Sequence, residues 1–291
     1  MAKCILRGMP VDLDAAVVTN TRLSADYNVI SFTAPEIAAL ARPGQFVMVK
    51  PARGTDPLLR RPFSIFEILR DGSGRTTGLS ILNKRIGVGT GRLYEIEAGA
   101  RLPVLGPLGI PFEAVSPPAE AWMVAGGVGL GPFLTLAEAL RESATPTTLF
   151  YGARRASELY HVEAFERLGV RTVLATEDGS RGARGYVSAP LASELDARAR
   201  GDAAATGRNS APIKIYACGP TPMMRAVARL AATHGRPCDV SLEQTMGCGL
   251  GGCYSCVVLA REGAGAPHFV RSCIDGPVFD ATRIVWEEMA H

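Results

Sequence analysis

This sequence has no long apolar segment, little lysine and only a small net charge. No apolar run approaches the length of a membrane-spanning helix, and the N-terminal segment MAKCILRGMPVDLD lacks the apolar core of a signal peptide. These absences predict a cytoplasmic protein that does not cross a membrane. The net charge of +3 is too small and too dispersed to indicate a nucleic-acid-binding protein. Lysine occurs four times against 27 arginines, a bias that we attribute to genomic composition.

The chain of 291 residues is long enough for two or three compact domains. Residues 1–112 contain short segments rich in β-branched and aromatic residues, punctuated by Gly, Pro and Asp, which predicts an antiparallel β-barrel. Residues 113–236 alternate strand-like and helix-like segments, which predicts an α/β domain with a parallel sheet. A small Cys/Gly-rich domain is expected over residues 237–291.

The periodicity of the middle domain also predicts individual helices and one loop. Helices are expected over residues 132–142 and 222–234, and a third is expected to begin at a Ser157 cap and end near Gly169. The Ala/Gly-rich stretch around residues 199–211 is expected to be a loop.

Four of the seven cysteines crowd into the last 44 residues. Cys248, Cys253, Cys256 and Cys273 are spaced Cys-x4-Cys-x2-Cys-x16-Cys, which is typical of plant-type [2Fe–2S] ligands. We expect the glycines at 247, 249, 251 and 252 to let the loop wrap closely around a cluster. The alternative is a structural zinc site, but zinc ribbons usually carry two separate Cys-x2-Cys pairs.

Two motifs in the barrel region suggest a bound dinucleotide. Arg60 and Arg61 precede Pro62-Phe63-Ser64 on a predicted strand, and an arginine fork suits a diphosphate. Leu82-Asn83-Lys84 is followed by Gly87-Val88-Gly89-Thr90, where glycines permit a nest of N–H groups facing an anion. Taken alone, the first motif is also compatible with an ordinary strand start and the second with a plain β-turn.

A glycine-rich loop joins a strand to a helix in the middle domain. The segment Ala125-Gly126-Gly127-Val128-Gly129-Leu130-Gly131-Pro132 departs from the Rossmann fingerprint, yet it suits a diphosphate at a helix N-terminus. Cys218-Gly219-Pro220 repeats this placement after a later strand, at the carboxyl edge where parallel sheets bind ligands. Cys218 could equally be a buried core cysteine.

The order RPFS, GVGT, GGVGLGP, CGP and then the cysteine quartet resembles the ferredoxin–NADP reductase-like flavoproteins. The segments SLEQTMGCGLGGCYSCVV and RSCIDGPVFDA resemble those of the electron-transfer subunits of NAD-dependent dihydroorotate dehydrogenases. The resemblance implies FAD, a [2Fe–2S] cluster and NAD(H), with no side chain acting as a catalytic acid or base. It further implies roles in FAD binding for Arg61, Pro62, Phe63, Ser64, Leu82, Asn83, Lys84, Gly89 and Thr90. Gly126, Gly127, Gly129 and Cys218 are expected at the nicotinamide nucleotide, and the four cysteines at the metal.

The resemblance also implies a partner. It is an FMN-containing catalytic subunit, with two copies of each chain, so that electrons run between FMN and NAD during dihydroorotate oxidation in pyrimidine biosynthesis. A docking surface is expected around Leu250, Tyr254 and Phe279. Two alternatives stay open: the same module serving a hydrogenase or a sulfide- or ferredoxin-linked oxidoreductase, and a zinc-stabilised binding module without a redox role. NAD and NADP are also not distinguished, since Arg154 and Arg155 could meet a 2′-phosphate.

Overall fold

The computed structural model describes residues 9–201 and 211–289. The predicted loop at 199–211 lies, for its residues 202–210, outside the described part of the chain. Its start was placed too early, because residues 199 and 200 belong to the helix Ser188–Arg200. Within the two described ranges, no helix is both long enough and apolar enough to cross a membrane.

The described residues form the following strands and helices. The strands are β1 Val11–Arg22, β2 Tyr27–Thr33, β3 Phe46–Val49, β4 Arg61–Ser64, β5 Glu67–Arg70, β6 Thr76–Lys84, β7 Arg101–Leu108, β8 Glu120–Gly126, β9 Thr147–Ala153, β10 Arg171–Thr176, β11 Ala183–Arg184, β12 Ile213–Cys218, β13 Cys238–Ser241, β14 Val257–Ala260, β15 His268–Arg271 and β16 Val278–Asp280. The α-helices are α1 Pro35–Leu40, α2 Val88–Glu95, α3 Phe133–Glu142, α4 Val162–Arg167, α5 Ser188–Arg200, α6 Thr221–Thr233 and α7 Ser272–Asp275.

The N-terminal sheet is antiparallel throughout, in the order β4-β3-β7-β1-β2-β6-β5. Its strands wrap around a core that includes Ile30, Phe32 and Val47, all fully buried. This architecture confirms the predicted antiparallel barrel as a partly open one. The short helices α1 and α2 interrupt a region that the sequence predicted as strands alone.

The second sheet has the order β11-β10-β9-β8-β12-β13-β16, and it is parallel apart from the last pair. It confirms the predicted parallel α/β sheet, because helices connect β8 to β9, β9 to β10 and β11 to β12. The strands β13 and β16 come from beyond residue 236, so the C-terminal segment joins this sheet at its edge. The domain boundaries themselves stay a prediction.

One of the predicted helices begins later than expected. Ser157 lies in a short 3₁₀ turn (Ala156–Glu158), and α4 starts only at Val162 because His161 adopts a left-handed backbone with φ +56°. The predicted end at Gly169 is correct, since its φ of +80° closes the helix. The helices α3 and α6 lie where the periodicity predicted them.

Candidate functional site

The four cysteines at the C-terminal end lie in two adjoining pairs. The thiol of Cys248 interacts with that of Cys253, and the thiol of Cys256 with that of Cys273. Cys248 is also near enough to Cys273 for their charges to interact. A [2Fe–2S] cluster takes four thiolates, two on each iron, so this pairing fits the cluster that the spacing predicts. Within the described residues, no three His, Cys, Asp or Glu side chains converge on a position for a single metal ion.

Hydrogen bonds around these cysteines favour thiolates at the outer end of the loop. The Ser255 hydroxyl lies 3.2 Å from Sγ of Cys253, and it accepts the N–H of Gly247 at 2.9 Å. Together with the Cys248 thiol, Ser255 lowers the pKa of Cys253 to about 6. Leu250 donates its N–H to Sγ of Cys248 at 3.3 Å. The loop thus provides donors for anionic sulfur, which a metal cluster requires.

The cysteine loop packs directly on the barrel. Gly249 has a φ of +73°, and a Cβ atom added there would lie 2.6 Å from Cγ of Met48 on β3. Cys256 and Cys273 belong to the same buried apolar group as Met48, together with Phe46, Leu105, Leu108 and Met246. Glycine is therefore required at 249, both because its φ is positive and because a Cβ atom would overlap Met48. At Gly252 an added Cβ would meet no protein atom within 4 Å, so close approach of Gly252 to a cluster stays a prediction.

In the barrel, Arg61 and the first turn of α2 converge. A Cβ atom added at Gly89 would lie 3.3 Å from Nε of Arg61 and 3.3 Å from Cγ of Pro51. An arginine side chain and the free N–H groups at a helix N-terminus both bind phosphate well. Arg60 instead makes a bidentate ion pair with Asp12, with N···O distances of 2.8 and 2.9 Å. The geometry therefore favours Arg61 over Arg60 for a diphosphate.

The predicted residues Asn83 and Thr90 fix the N-terminal end of α2 through hydrogen bonds. The fully buried Asn83 donates to the Asn28 carboxamide oxygen at 2.8 Å and to the Thr90 carbonyl at 3.1 Å. The Thr90 hydroxyl accepts the N–H groups of Ile86 and Gly87 at 2.9 and 3.0 Å. These bonds fix the helix start, whose first N–H groups have no intrahelical acceptor. The neighbouring Leu82 is buried in the core.

The strand β4 connects the barrel to the nucleotide domain. Phe63 packs against the barrel core, whereas Ser64 faces the glycine-rich loop. A Cβ atom added at Gly131 would lie 3.2 Å from Cβ of Ser64. Pro62 pairs across the ladder with Met48, the residue that contacts the cysteine loop. The predicted flavin strand thus lies between the glycine-rich loop and the cysteine loop.

A cleft of about 610 Å³ separates the barrel from the second sheet. Tyr27 and Lys84 line it from the barrel, with Nζ of Lys84 5.3 Å from the centroid of the Tyr27 ring. The loops that follow β8 and β12 line it from the sheet, and Arg154, Glu177 and Tyr186 line its far end. This placement at the carboxyl ends of parallel strands is typical of nucleotide sites.

The predicted glycines of the nucleotide loop serve two different purposes. An added Cβ at Gly129 would overlap the Cys218 carbonyl oxygen, and one at Gly126 would lie 2.7 Å from Sδ of Met223. These two glycines let the loops after β8 and β12 pack together. Gly127, with φ +55°, has open space in front of it and lines the cleft.

Cys218 is a core residue at this junction. Its side chain is 1% exposed, and burial raises the pKa of its thiol well above the ordinary value. The thiol is therefore neutral at physiological pH. The carbonyl group of the same residue packs against Gly129 of the glycine-rich loop. A direct contact of Cys218 with nucleotide stays a prediction.

Sequence reasoning missed Glu243 on the wall of the cleft. Glu243 is exposed to solvent and lines the cleft. Partial desolvation by the cleft walls raises the pKa of Glu243, and the nearby Lys84 ammonium opposes that shift. The available signal was a carboxylate two residues after β13, at the ligand-binding edge of the sheet.

The surface around the cysteines carries exposed apolar side chains. Leu250 is 54% and Tyr254 62% exposed, as expected, but Phe279 is 2% exposed, so its predicted place in a docking surface is wrong. Phe279 pairs within the second sheet and packs in its core. Phe269 and Ile274 are instead 71% and 43% exposed. We call Leu250, Tyr254, Phe269 and Ile274 the cluster face.

Two family models match the chain. Residues 243–285 match the iron–sulfur cluster binding domain of dihydroorotate dehydrogenase B, and residues 123–229 match an oxidoreductase NAD-binding domain. These matches confirm the predicted oxidoreductase class, the iron–sulfur cluster and NAD(H).

Solved structures with a similar fold support the flavoprotein prediction. A structure of an NADH-dependent reduced ferredoxin–NADP oxidoreductase, described for flavin-based electron bifurcation, is 27% identical with a TM-score of 0.78, covering 94% of this chain and 90% of that one. A ferredoxin reductase of carbazole 1,9a-dioxygenase shares the fold at 22% identity and a TM-score of 0.63, over 78% of this chain and 67% of that one. The predicted fold class is thereby confirmed, and the flavoprotein fold adds FAD to the cofactors.

Curated relatives match over nearly the full length. The electron transfer subunit of dihydroorotate dehydrogenase B (NAD(+)) from Desulforamulus reducens is 35% identical over 94% of this chain and 98% of its own length. The same subunit from Enterococcus faecalis is 36% identical over 86% of this chain and 89% of its own length. The chain therefore belongs to the family of electron transfer subunits of dihydroorotate dehydrogenase B.

Proposed function

We propose that this chain carries electrons between the FMN of a catalytic subunit and NAD during the oxidation of dihydroorotate to orotate. The observation that carries the proposal is the position of β4. Its Ser64 contacts the glycine-rich loop at Gly131, and its Pro62 pairs with Met48 beneath the cysteine loop. A flavin held on this strand would have the nicotinamide loop on one side and the cluster on the other.

The chain's own residues bind and orient three cofactors. FAD, when bound, exchanges a hydride with nicotinamide and single electrons with an iron–sulfur cluster. Arg61 and the start of α2 would hold its diphosphate, with Gly89 allowing close approach. Gly127 would face the nucleotide in the cleft. Cys248, Cys253, Cys256 and Cys273 would ligate the two irons.

A catalytic partner subunit follows from family membership, because the relatives are named as one subunit of a dehydrogenase. We propose that this partner holds FMN and that two copies of each chain assemble. The cluster face is its proposed docking surface, because its side chains are exposed and three of them adjoin the ligands in the chain: Ile274 follows Cys273, and Leu250 and Tyr254 lie between the other ligands. Exposed apolar groups of this kind mark interaction sites.

The docking surface can be tested with charged substitutions. Phe269→Asp and Leu250→Asp should weaken binding of the catalytic subunit in pull-down or calorimetry, because each buries a charge at the contact. Val18→Asp is the matched control, since Val18 is 50% exposed on a barrel strand. Equal binding by all three variants would exclude this face as the interface.

The main experiment is reconstitution. The isolated chain mixed with dihydroorotate and NAD⁺ should form no orotate, and adding the FMN-bearing subunit should produce NADH. Removal of the cluster should abolish that activity. Orotate formation by the isolated chain would refute the subunit assignment. Failure with the partner would favour a hydrogenase or a sulfide- or ferredoxin-linked complex.

Metal analysis tests the cluster independently of activity. Anaerobically purified chain should contain about two irons and two sulfides, and zinc without sulfide would refute the cluster. The same preparation, assayed with NADH and NADPH, would show which nucleotide is used. NAD is the expected one, as in the names of the relatives. A cytoplasmic location stays a prediction.

A further inference from the structure

A cationic side chain lies across the loop that carries three of the four cysteines. Nη1 of Arg271 donates to the carbonyl oxygen of Gly251 at 3.1 Å. The same guanidinium stands over the ring of Tyr254, 5.1 Å from its centroid. Gly251 lies between Cys248 and Cys253 in the chain, and Tyr254 lies between Cys253 and Cys256. Arg271 therefore holds both halves of the ligand loop.

The backbone of Arg271 is fixed by its strand and by Asp275. It ends β15, where it pairs with Val257, and its backbone N–H donates to Oδ2 of Asp275 at 2.9 Å. Cys273 lies two residues further along the chain. A single residue thus connects the loop with three ligands to the helical turn that bears the fourth.

The guanidinium of Arg271 has no carboxylate partner among the residues that the structure describes; Asp275 accepts its backbone N–H instead. Arg283 in the same domain pairs with Glu262 at 3.1 Å, whereas the guanidinium of Arg271 makes no ion pair among residues 9–201 and 211–289. Its partners are a carbonyl and an aromatic ring, which leave the positive charge in place. Reduction of an iron–sulfur cluster adds one negative charge, and the potential of such clusters depends on nearby charge and on hydrogen bonds.

We propose that Arg271 is a positioning residue that holds the ligand loop through Gly251 and raises the reduction potential of the cluster. The inference rests on the proposed cluster site at the four cysteines. Loss of the positive charge should make the cluster harder to reduce. Loss of the planar side chain alone, with the charge retained, should change the potential less.

The test is a redox titration of the full chain, purified anaerobically with its cofactors and followed by electron paramagnetic resonance of the reduced cluster. Iron and sulfide are measured first, because their absence from the parent chain would refute the cluster site and not the role of Arg271. Arg271→Gln should shift the midpoint potential to more negative values, and Arg271→Lys should restore most of the shift. Arg261→Gln is the matched control, since it removes an exposed arginine of the same hairpin away from the ligand loop.

Three results would overturn the proposal. The first is an unchanged potential in Arg271→Gln with the cluster intact. The second is an equal shift in Arg261→Gln, which would assign the effect to net charge. The third is a shift in Tyr254→Leu as large as that in Arg271→Gln, because Tyr254→Leu keeps the charge and removes only the ring beneath the guanidinium. If Arg271→Gln does not retain its cluster, Arg271→Lys decides. A potential close to that of the parent supports the proposal, and a large negative shift despite the retained charge overturns it.

Discussion

Replacing Arg61 by alanine should weaken FAD binding by about one to two decades. The guanidinium lies against Gly89 at the start of α2, with Nε 3.3 Å from the position of an added Cβ. A charge-assisted hydrogen bond of this kind contributes about 1.5–3 kcal/mol, which corresponds to roughly a tenfold to hundredfold change in Kd. Titration of FAD into deflavinated chain, followed by flavin fluorescence, measures the change. Arg61→Lys should lie between the parent and the alanine variant, since it keeps the charge and loses the fork.

The adjacent arginine provides the control. Arg60 pairs with Asp12, whose side chain is 55% exposed, and such surface pairs contribute only about 0–1 kcal/mol. Arg60→Ala should therefore leave the Kd for FAD close to that of the parent. An unchanged Kd in Arg61→Ala, or an equal loss in both variants, would refute the assignment. Thermal unfolding of the flavin-free variants separates binding from stability, because Arg61 also donates to the Leu59 and Arg60 carbonyls.

Two further predictions follow from the cleft and from the packing of the cysteine loop. Gly127→Asp should slow reduction of FAD by NADH in stopped-flow more than Gly127→Asn, because both residues tolerate a left-handed backbone and only the carboxylate repels a diphosphate. Equal rates would exclude Gly127 from the nucleotide site. Met48→Ala should lower the free energy of unfolding by about 2–5 kcal/mol and should speed the loss of the cluster in air. Met48→Leu, the control, should lower it by less than about 1.5 kcal/mol. Cluster loss at the parent rate in Met48→Ala would contradict the proposed packing of Met48 against the cysteine loop.

Most of the site could be predicted because its functional residues lie in short sequence motifs. The cysteine spacing determines how many thiolates reach one loop, and the structure brings the four of them into two pairs. The glycine-rich loop lies at the end of a buried strand, and hydrophobic periodicity predicted that strand and the helix after the loop. The barrel and the parallel sheet followed from the same kind of local signal.

Features that depend on contacts between distant segments could not be predicted. Gly249 was expected to wrap a cluster, but its partner Met48 lies 201 positions earlier in the chain, and no local pattern relates the two. Phe279 was expected on the surface, in an apolar docking face with Leu250 and Tyr254. It is buried because β16 pairs with β13 at the edge of a sheet formed mainly by other segments. His161 delays the start of a predicted helix by adopting a left-handed backbone conformation that propensity alone does not favour.

The two strands β3 and β4 explain why the sites lie where they do. Along β3, Phe46 and Met48 face the cysteine loop, while Val47 and Val49 fill the barrel core. Because side chains alternate along a strand, a slip of one residue would exchange these two faces. The ladder that joins Phe46 to Ser64 and Met48 to Pro62 would shift with it, and the flavin strand would lose its contact with the glycine-rich loop. The register of one short pair of strands therefore positions the flavin strand against the glycine-rich loop and against the cysteine loop, and a change in that register would disrupt both contacts together.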